Sequence, residues 1–169
     1  MSWLLGISLA FLGCQTSLHH YDDFTTVHAD CSSNNPGDCM ACALQGEAAN
    51  QTSQGIYAVG VTIMTRAKGK LENICKVTKA RGQFEGMRKR GKRKISRRVR
   101  KVTRQILKSR EKKWTHFWAP RAQKRLRRSK PFWATHYEKR RCEKQEIGDH
   151  IFYNANKCEL SRRQLLANQ

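Results

Sequence analysis

Carboxylic acids that could take part in acid–base chemistry are scarce in this sequence. The 169-residue chain has 34 Lys and Arg residues against 13 Asp and Glu. One acid, Glu47, lies within a run of small and apolar residues, ALQGEAA at positions 43–49. Apolar surroundings favour the protonated form of a carboxyl group, which is the form that a general acid needs. From this context alone, an ordinary glutamate on a helix surface is still the more economical interpretation.

Cysteines are the second group of reactive side chains. A C-x-x-C pair at Cys39 and Cys42 could bind zinc or act in redox chemistry. No second pair, no ligand spacing among the histidines and no βαβ pattern completes either site, so we expect no metal and no cofactor. Structural disulfides are favoured, and the sequence leaves open which of the 15 pairings of six cysteines applies. The six candidates are Cys31, Cys39, Cys42, Cys75, Cys142 and Cys158.

The N-terminal residues resemble an export signal. Positions 3–12 form a mostly apolar run, too short to span a bilayer as a mature helix. The run ends in FLGC, which resembles a bacterial lipobox with Cys14 as the lipidation candidate, although no Lys or Arg precedes it. We therefore expect a leader at 1–14, a polar linker at 15–37 and an exported domain at 38–169. The expected location is the periplasm or cell envelope.

Glu47 must be positioned by the helices around it. The turn signal NNPG at 34–37 precedes a helix that we expect to begin at Cys39, with Asp38 as its cap. Glu47 then falls near the C-terminal end of this helix. A second helix follows a cap at Thr52 or Ser53. Its buried face is predicted from residues that recur with helical spacing, namely Ile56, Val59, Gly60 and Ile63.

A strongly basic tract occupies positions 88–113, with 15 Lys or Arg and one acid. Apolar residues recur within it at helical spacing, which predicts one long helix with a cationic outer face. With a formal net charge of +21, the chain should attract polyanions such as cell-wall polymers, anionic membranes or nucleic acid. Nucleic acid is the least favoured of these, because it explains neither the leader nor the cysteines. The apolar residues at helical spacing within the tract form a stripe that consists of Ile95, Val99, Val102, Ile106 and Leu107.

The remaining segments predict less regular structure. Positions 74–84 are expected to form a loop or a small strand pair, and the aromatic segments 114–120 and 131–133 to lie in loops. A short helix is expected from Ser161. Together, these predictions describe a monomeric, mostly α (α+β) single domain with a small β element and a long basic helix.

Several segments, in order, resemble the SleB-like cell-wall hydrolases, the family that includes spore-cortex-lytic enzymes. CMACALQGEA at 39–48 is similar to the opening motif, in which a helix of small residues leads into Glu-Ala. GIYAVGVTIMTR at 55–66 is similar to the helix G-x-x-A-V-x-x-V-x-x-N-R, with Thr65 in place of Asn. The family often has a second glutamate four residues after the first, and here that position is Gln51. The later segments are ICKV at 74–77, GQF at 82–84, THFWAP at 115–120, PFWA at 131–134 and IGDHIFY at 147–153.

The resemblance implies a compact lysozyme-like fold and cleavage of the MurNAc–GlcNAc bond in peptidoglycan glycan strands. It maps the single catalytic glutamate onto Glu47. Side chains in the matching segments could bind sugar through hydrogen bonds and stacking, although structural roles in the core are as well supported. These substrate-binding candidates are Gln83, Phe84, His116, Trp118, His150 and Tyr153, with Trp133 as a further stacking candidate.

The number of carboxylates decides between two mechanisms. Retaining and inverting glycosidases use two carboxyl groups, about 5–5.5 Å or about 6.5–9.5 Å apart. Asp149 is the one candidate for a partner of Glu47, and a turn or cap role is the simpler expectation for it. We therefore favour a lytic transglycosylase, in which the C6 hydroxyl of the substrate attacks the anomeric carbon, over a hydrolytic muramidase. A cationic cell-wall-, membrane- or nucleic-acid-binding protein without activity is the alternative from another class.

Overall fold

The computed structural model of the protein describes residues 28–84, 87 and 91–159. The helices in these residues are α1 (Pro36–Glu47), α2 (Ser53–Arg66), α3 (Ile74–Lys79), α4 (Arg97–Ser109), α5 (Pro120–Arg125) and α6 (Phe132–Lys139). The strands are β1 (His28–Asp30), β2 (Lys92–Lys94), β3 (His116–Trp118), β4 (Glu143–Ile147) and β5 (His150–Asn154). A short 3-10 helix, Leu71–Asn73, leads into α3.

The start of α1 is set by Asn35. Its side-chain oxygen accepts hydrogen bonds from the backbone N–H groups of Gly37, at 2.8 Å, and Asp38, at 3.3 Å. A proline in the first helical turn fits there because its missing N–H would have no helical partner. The expected start at Cys39 with Asp38 as the cap is therefore wrong, because Asp38 instead accepts from the hydroxyl of Ser33 at 2.8 Å.

The helix α1 is the centre of the molecule. Residues 39–44 are fully buried, and α2, α3 and α4 pack around them. The backbone leaves the helical conformation at Ala48, where φ is −142°. Glu47 is therefore the last residue of a helix whose position is fixed by packing on all sides.

The helix α2 follows the predicted pattern. Thr52 caps it by accepting from the N–H of Gly55 at 3.2 Å. The predicted apolar face is confirmed, since all four of its residues are buried: Ile56, Val59, Gly60 and Ile63. Gly60 allows α4 to approach closely, because a Cβ at this position would lie 2.9 Å from the side chain of Ile106.

The sequence predicted one long helix over the basic tract at 88–113. This prediction is wrong. Within the tract, Lys92–Lys94 form β2, and α4 begins only after Ser96, whose hydroxyl accepts from the N–H of Val99 at 3.3 Å. Gly91 and Arg110 adopt left-handed backbone conformations and lie near the two ends of the basic tract. The predicted apolar stripe is nevertheless buried, which confirms the cationic outer face for α4 itself.

Two small antiparallel sheets complete the fold. β1 pairs with β2, and the order of the second sheet is β3-β5-β4. His116 lies opposite Tyr153 in the β3–β5 pair, and Ile147 lies opposite His150 in the β4–β5 hairpin. Gly148, with φ of 62°, provides the tight turn of that hairpin.

Several local expectations are corrected by the structure. Positions 74–79 form α3 instead of a loop or strand pair, and the two aromatic segments contribute β3 and the start of α6. Residues 28–37, expected within the linker, carry β1 and the first residues of α1. The leader, Cys14 and the helix expected from Ser161 lie outside the described residues.

All six candidate cysteines form disulfides. The pairs are Cys31–Cys42, Cys39–Cys75 and Cys142–Cys158. The first two tie α1 to the chain after β1 and to α3, and the third ties the start of β4 to the chain that follows β5. Because both cysteines of the C-x-x-C pair are in disulfides, neither offers a thiolate to a metal.

The buried apolar residues form one cluster, built mainly from α1, α2 and α4 with contributions from the second sheet. The protein is thus a mostly α, α+β single domain, as predicted. Within the described residues, none of the helices has the length and apolar character needed to cross a membrane.

Candidate active site

A cleft of about 510 Å³ opens at the C-terminal ends of α1 and α2. The strand β3, the start of β5 and the segment from α5 to α6 form its other walls. Its lining residues are Gly46, Glu47, Arg66, Gly82, Gln83, His116, Phe117, Trp118, Ala119, Ala122, Gln123, Leu126, Arg128, Pro131, Trp133 and His150.

Glu47 is the one carboxylic acid among the described residues that line this cleft. Its side chain is half-buried. Gly46 precedes it and contributes no side chain, so the end of α1 presents an open surface beside the carboxyl group. The lining also contains two guanidinium groups, those of Arg66 and Arg128. The site therefore combines a single acid with fixed positive charge.

Arg66, the last residue of α2, is held by its neighbours. Its Nε donates to the carbonyl of Thr115 at 2.9 Å and its Nη1 donates to Gln83 Oε1 at 2.6 Å. The guanidinium carbon lies 5.5 Å from the centre of the Phe84 ring. Burial lowers the pKa of the Arg66 guanidinium, which remains charged because an arginine pKa is far above neutrality.

His116 lies on β3 and faces the same cleft. Its Nδ1 is 3.1 Å from Thr115 Oγ1 and 3.2 Å from Tyr137 Oη, within hydrogen-bonding distance of both. Burial, assisted by the positive charge of Arg66, lowers the pKa of His116 to about 4. The imidazole is therefore neutral near neutral pH, and it can exchange hydrogen bonds without adding charge.

His150, at the start of β5, is buried and also lines the cleft. Its ring packs edge-on against Phe117, with 5.3 Å between ring centres. Burial lowers the pKa of His150, against the raising effect of Asp149. Nδ1 of His150 is buried without a hydrogen-bond partner among the described residues. Such atoms are rare in folded proteins, and a bound ligand is one way to satisfy them.

Two tryptophans supply apolar surface to the cleft. Trp133 lies 5.0 Å from His116 between ring centres and packs edge-on against Tyr153 at 5.9 Å. Trp118 has the ammonium group of Lys130 at 5.7 Å from its ring centre. Flat aromatic faces of this kind suit stacking against sugar rings.

Two of the expected substrate-binding residues lie behind the cleft wall and do not line it. Phe84 is buried and packs against Phe117, with ring centres 6.2 Å apart. Tyr153 is fully buried, and its hydroxyl donates to Glu138 at 2.8 Å. Burial and this bond raise the pKa of Tyr153 to about 12. The side chains of Phe84 and Tyr153 therefore pack against other protein groups behind the cleft wall.

Asp149, the sequence candidate for a second carboxylate, does not line the cleft either. Its Oδ2 accepts from Gln51 Nε2 at 3.0 Å, and its backbone N–H donates to Gln51 Oε1 at 2.9 Å. Its Oδ1 accepts from Arg121 at 3.2 Å. The bond from Gln51 lowers the pKa of Asp149, and the charge of Arg121 acts in the same direction. Asp149 thus fastens the β4–β5 turn to the chain after α1.

Three polar lining residues were not among the sequence candidates: Arg66, Gln123 and Arg128. Arg66 had a signal, because it ends the segment GIYAVGVTIMTR that marks α2. The other two lie in and after α5, where the sequence is simply basic and shows no pattern that would separate lining residues from solvent-exposed ones.

Comparisons with known proteins place the chain at the level of the family. No curated protein and no solved structure matches the chain. A family model described as Cell Wall Hydrolase matches residues 50–153, more than half of the 169 residues. The match covers most of the cleft wall and begins three residues after Glu47. The chain belongs to the cell wall hydrolase family.

Proposed function

We propose that this protein cleaves the MurNAc–GlcNAc bond of peptidoglycan as a lytic transglycosylase, with Glu47 as its single catalytic acid and base. Family membership supports a cell-wall substrate and action outside the cytoplasm. The finer assignment to the SleB-like group is supported by the ordered segments from position 39 onward. The observation that carries the mechanism is the single carboxyl group among the described lining residues of the cleft.

The position of Glu47 suits a general acid. It is the last residue of α1 and lines the cleft, where Gly46 beside it leaves the surface next to the carboxyl group open. Transfer of this proton to the glycosidic oxygen breaks the bond and leaves an oxocarbenium-like centre at C1. The positive charge of Arg66 in the same cleft then stabilises the carboxylate that remains.

The second half of the reaction uses the same residue. The Glu47 carboxylate removes the proton of the C6 hydroxyl as that oxygen attacks C1, which forms a 1,6-anhydro ring and restores the protonated acid. No water is consumed and no cofactor is needed. The hydrolytic alternative would have a water attack C1, and a two-carboxylate version of it would need Asp149, which is held by Gln51 and Arg121.

The remaining cleft residues are proposed to bind the sugar. Trp118 and Trp133 offer stacking faces, and Gln83 and His116 offer hydrogen bonds at neutral charge. The unpartnered Nδ1 of His150 is proposed to meet a substrate hydroxyl or acetamido group once the glycan is bound. Phe84 and Tyr153 support this wall from behind.

A separate binding role is proposed for the outer face of α4. This helix contains six Lys or Arg and no acid, and its apolar face is buried. We propose that it holds the enzyme on anionic cell-wall or membrane polymers, with nucleic acid the less favoured partner.

Export through the leader, lipidation at Cys14 and a monomeric state remain predictions.

Replacing one carboxyl group tests the catalytic proposal. Purified peptidoglycan should be degraded by the unmodified protein and not by Glu47→Gln, with a loss of at least about a hundredfold expected from removal of the acid. Glu72→Gln is the matched control, because Glu72 is exposed and outside the cleft. Solubilised muropeptides are measured by mass spectrometry.

Two outcomes would contradict the proposal. Full activity in Glu47→Gln would remove Glu47 from the mechanism. No cleavage by the unmodified protein, together with salt-sensitive retention on the polymer, would favour a non-enzymatic cationic binding protein.

A further inference from the structure

A second cavity, of about 420 Å³, adjoins the cleft. It lies between α3 and the C-terminal end of α2. Two apolar residues also line it, Val77 in α3 and Ala80 in the chain after α3. Its polar lining consists of Arg66, Lys68, Asn73, Lys76 and Gln83.

Arg66 and Gln83 line both the cleft and this second cavity. The hydrogen bond from Arg66 Nη1 to Gln83 Oε1, at 2.6 Å, therefore forms part of the wall between the two spaces. Gln83 is exposed. A ligand seated in the cleft would thus have the second cavity directly beside it.

The second cavity is positively charged. Three of its described lining residues are basic and none is acidic. Concave sites lined by one sign of charge concentrate ligands of the opposite sign. Lys and Arg side chains also form strong hydrogen bonds to carboxylates, because both partners are charged.

Local structure fixes the backbone positions of two of these basic residues, Lys68 and Lys76. Lys68 adopts a left-handed conformation, with φ of 58°, at the end of α2, where its N–H donates to the carbonyl of Thr65 at 3.0 Å. Lys76 follows Cys75, whose disulfide with Cys39 ties α3 to the central helix. The spacing of the charges is therefore set by the fold, although the lysine side chains themselves can move.

We propose that the second cavity binds a carboxylate of the stem peptide attached to the muramyl residue in the cleft. This inference rests on the proposed function. The sugars of a peptidoglycan strand carry no charge once the lactyl group is joined to the peptide by an amide bond, so the anionic groups of the repeating unit are the peptide carboxylates. A cationic cavity beside a glycan-binding cleft therefore suits the peptide and not the sugar.

The test compares two substrates that differ only in the peptide. One is soluble, uncross-linked glycan strands with their stem peptides. The other is the same strands after removal of the peptides by an amidase and conversion of the lactyl carboxyl groups that this exposes to uncharged methylamides. The unmodified protein should have a kcat/KM about tenfold higher on the peptide-bearing strands. The variant Lys76→Glu should lose this preference.

Lys70→Glu is the matched control, because Lys70 is exposed, lies close in sequence and does not line the cavity. It makes the same change in net charge and should keep the preference for peptide-bearing strands. Equal kcat/KM for the two substrates in the unmodified protein, a preference retained in Lys76→Glu, or the same loss in both variants would overturn the proposal. Failure of the unmodified protein to cleave either substrate would instead overturn the proposed function.

Discussion

At the scale of single residues, the cleft is built from side chains with different charge states. Glu47 supplies the one carboxyl group among the described lining residues, Arg66 supplies a permanent positive charge, and the low pKa of His116 keeps its imidazole neutral. A neutral imidazole beside a guanidinium group avoids repulsion that a second cation would cause. In the proposed mechanism, His116 orients a sugar hydroxyl and Glu47 alone transfers protons.

The pKa of His116 predicts how stability depends on pH. Because the folded-state pKa is about 4 and the unfolded value is about 6.5, the unfolded chain binds more protons between these limits. Stability is therefore fully present above about pH 6.5 and is lost as the pH falls toward 4. In His116→Gln this loss should be smaller, with the difference in melting temperature between pH 7 and pH 5 reduced by about 2–4 °C.

Thermal unfolding followed by circular dichroism at a series of pH values measures this effect. His136→Gln provides the comparison, because His136 is exposed. Parallel pH profiles for the unmodified protein and His116→Gln would show that His116 does not hold the depressed pKa.

At the scale of secondary structure, α4 shows which features the sequence could specify. The apolar stripe with helical spacing correctly predicted a buried face and a cationic outer face. The limits of the helix were wrong, because they depend on the cap at Ser96, the pairing of β2 with β1 and the left-handed residue Arg110. Strand pairing joins segments distant in sequence, and a run of basic residues carries no signal for it.

The outer face of α4 predicts salt-dependent retention on the cell wall. Arg97 and Lys101 are exposed and stand four residues apart on this face. The double variant Arg97→Glu/Lys101→Glu should bind insoluble, polyanion-bearing cell walls at least about tenfold more weakly at low salt, and the difference should shrink as salt increases.

Co-sedimentation at increasing sodium chloride measures this binding. Lys139→Glu/Lys144→Glu makes an equal change in charge at exposed positions outside α4 and should retain more of the binding. Equal weakening in both double variants would mean that net charge alone holds the protein on the wall.

At the scale of the whole molecule, two disulfides connect the central helix to its surroundings. Cys31–Cys42 and Cys39–Cys75 both begin or end on α1, the helix that ends in Glu47. Disulfides of this kind stabilise a fold by roughly 2–4 kcal/mol each. The six cysteines other than Cys14 pointed to disulfides, but the pairing required the packing of α1 against β1 and α3.

The cleft itself could be predicted only in part from the sequence. Short motifs identified Glu47, Gln83, His116, Trp118 and His150, all of which line it. The same motifs contain Phe84 and Tyr153, whose side chains are buried in the wall, because motif membership does not tell which face of an element a residue occupies. Arg128 joins the cleft through tertiary packing of a segment that shows no motif.

The most direct test of the central claim is to let the unmodified protein degrade peptidoglycan in water enriched in heavy oxygen and to determine the masses of the products. A single-glutamate transglycosylase predicts muropeptides that end in 1,6-anhydro-MurNAc, are lighter by one water than hydrolysis products, and contain no solvent oxygen at C1. Reducing MurNAc ends that carry solvent oxygen from the cleavage step, after correction for exchange in a matched unlabelled product, would contradict the account and assign the cleft to a hydrolase.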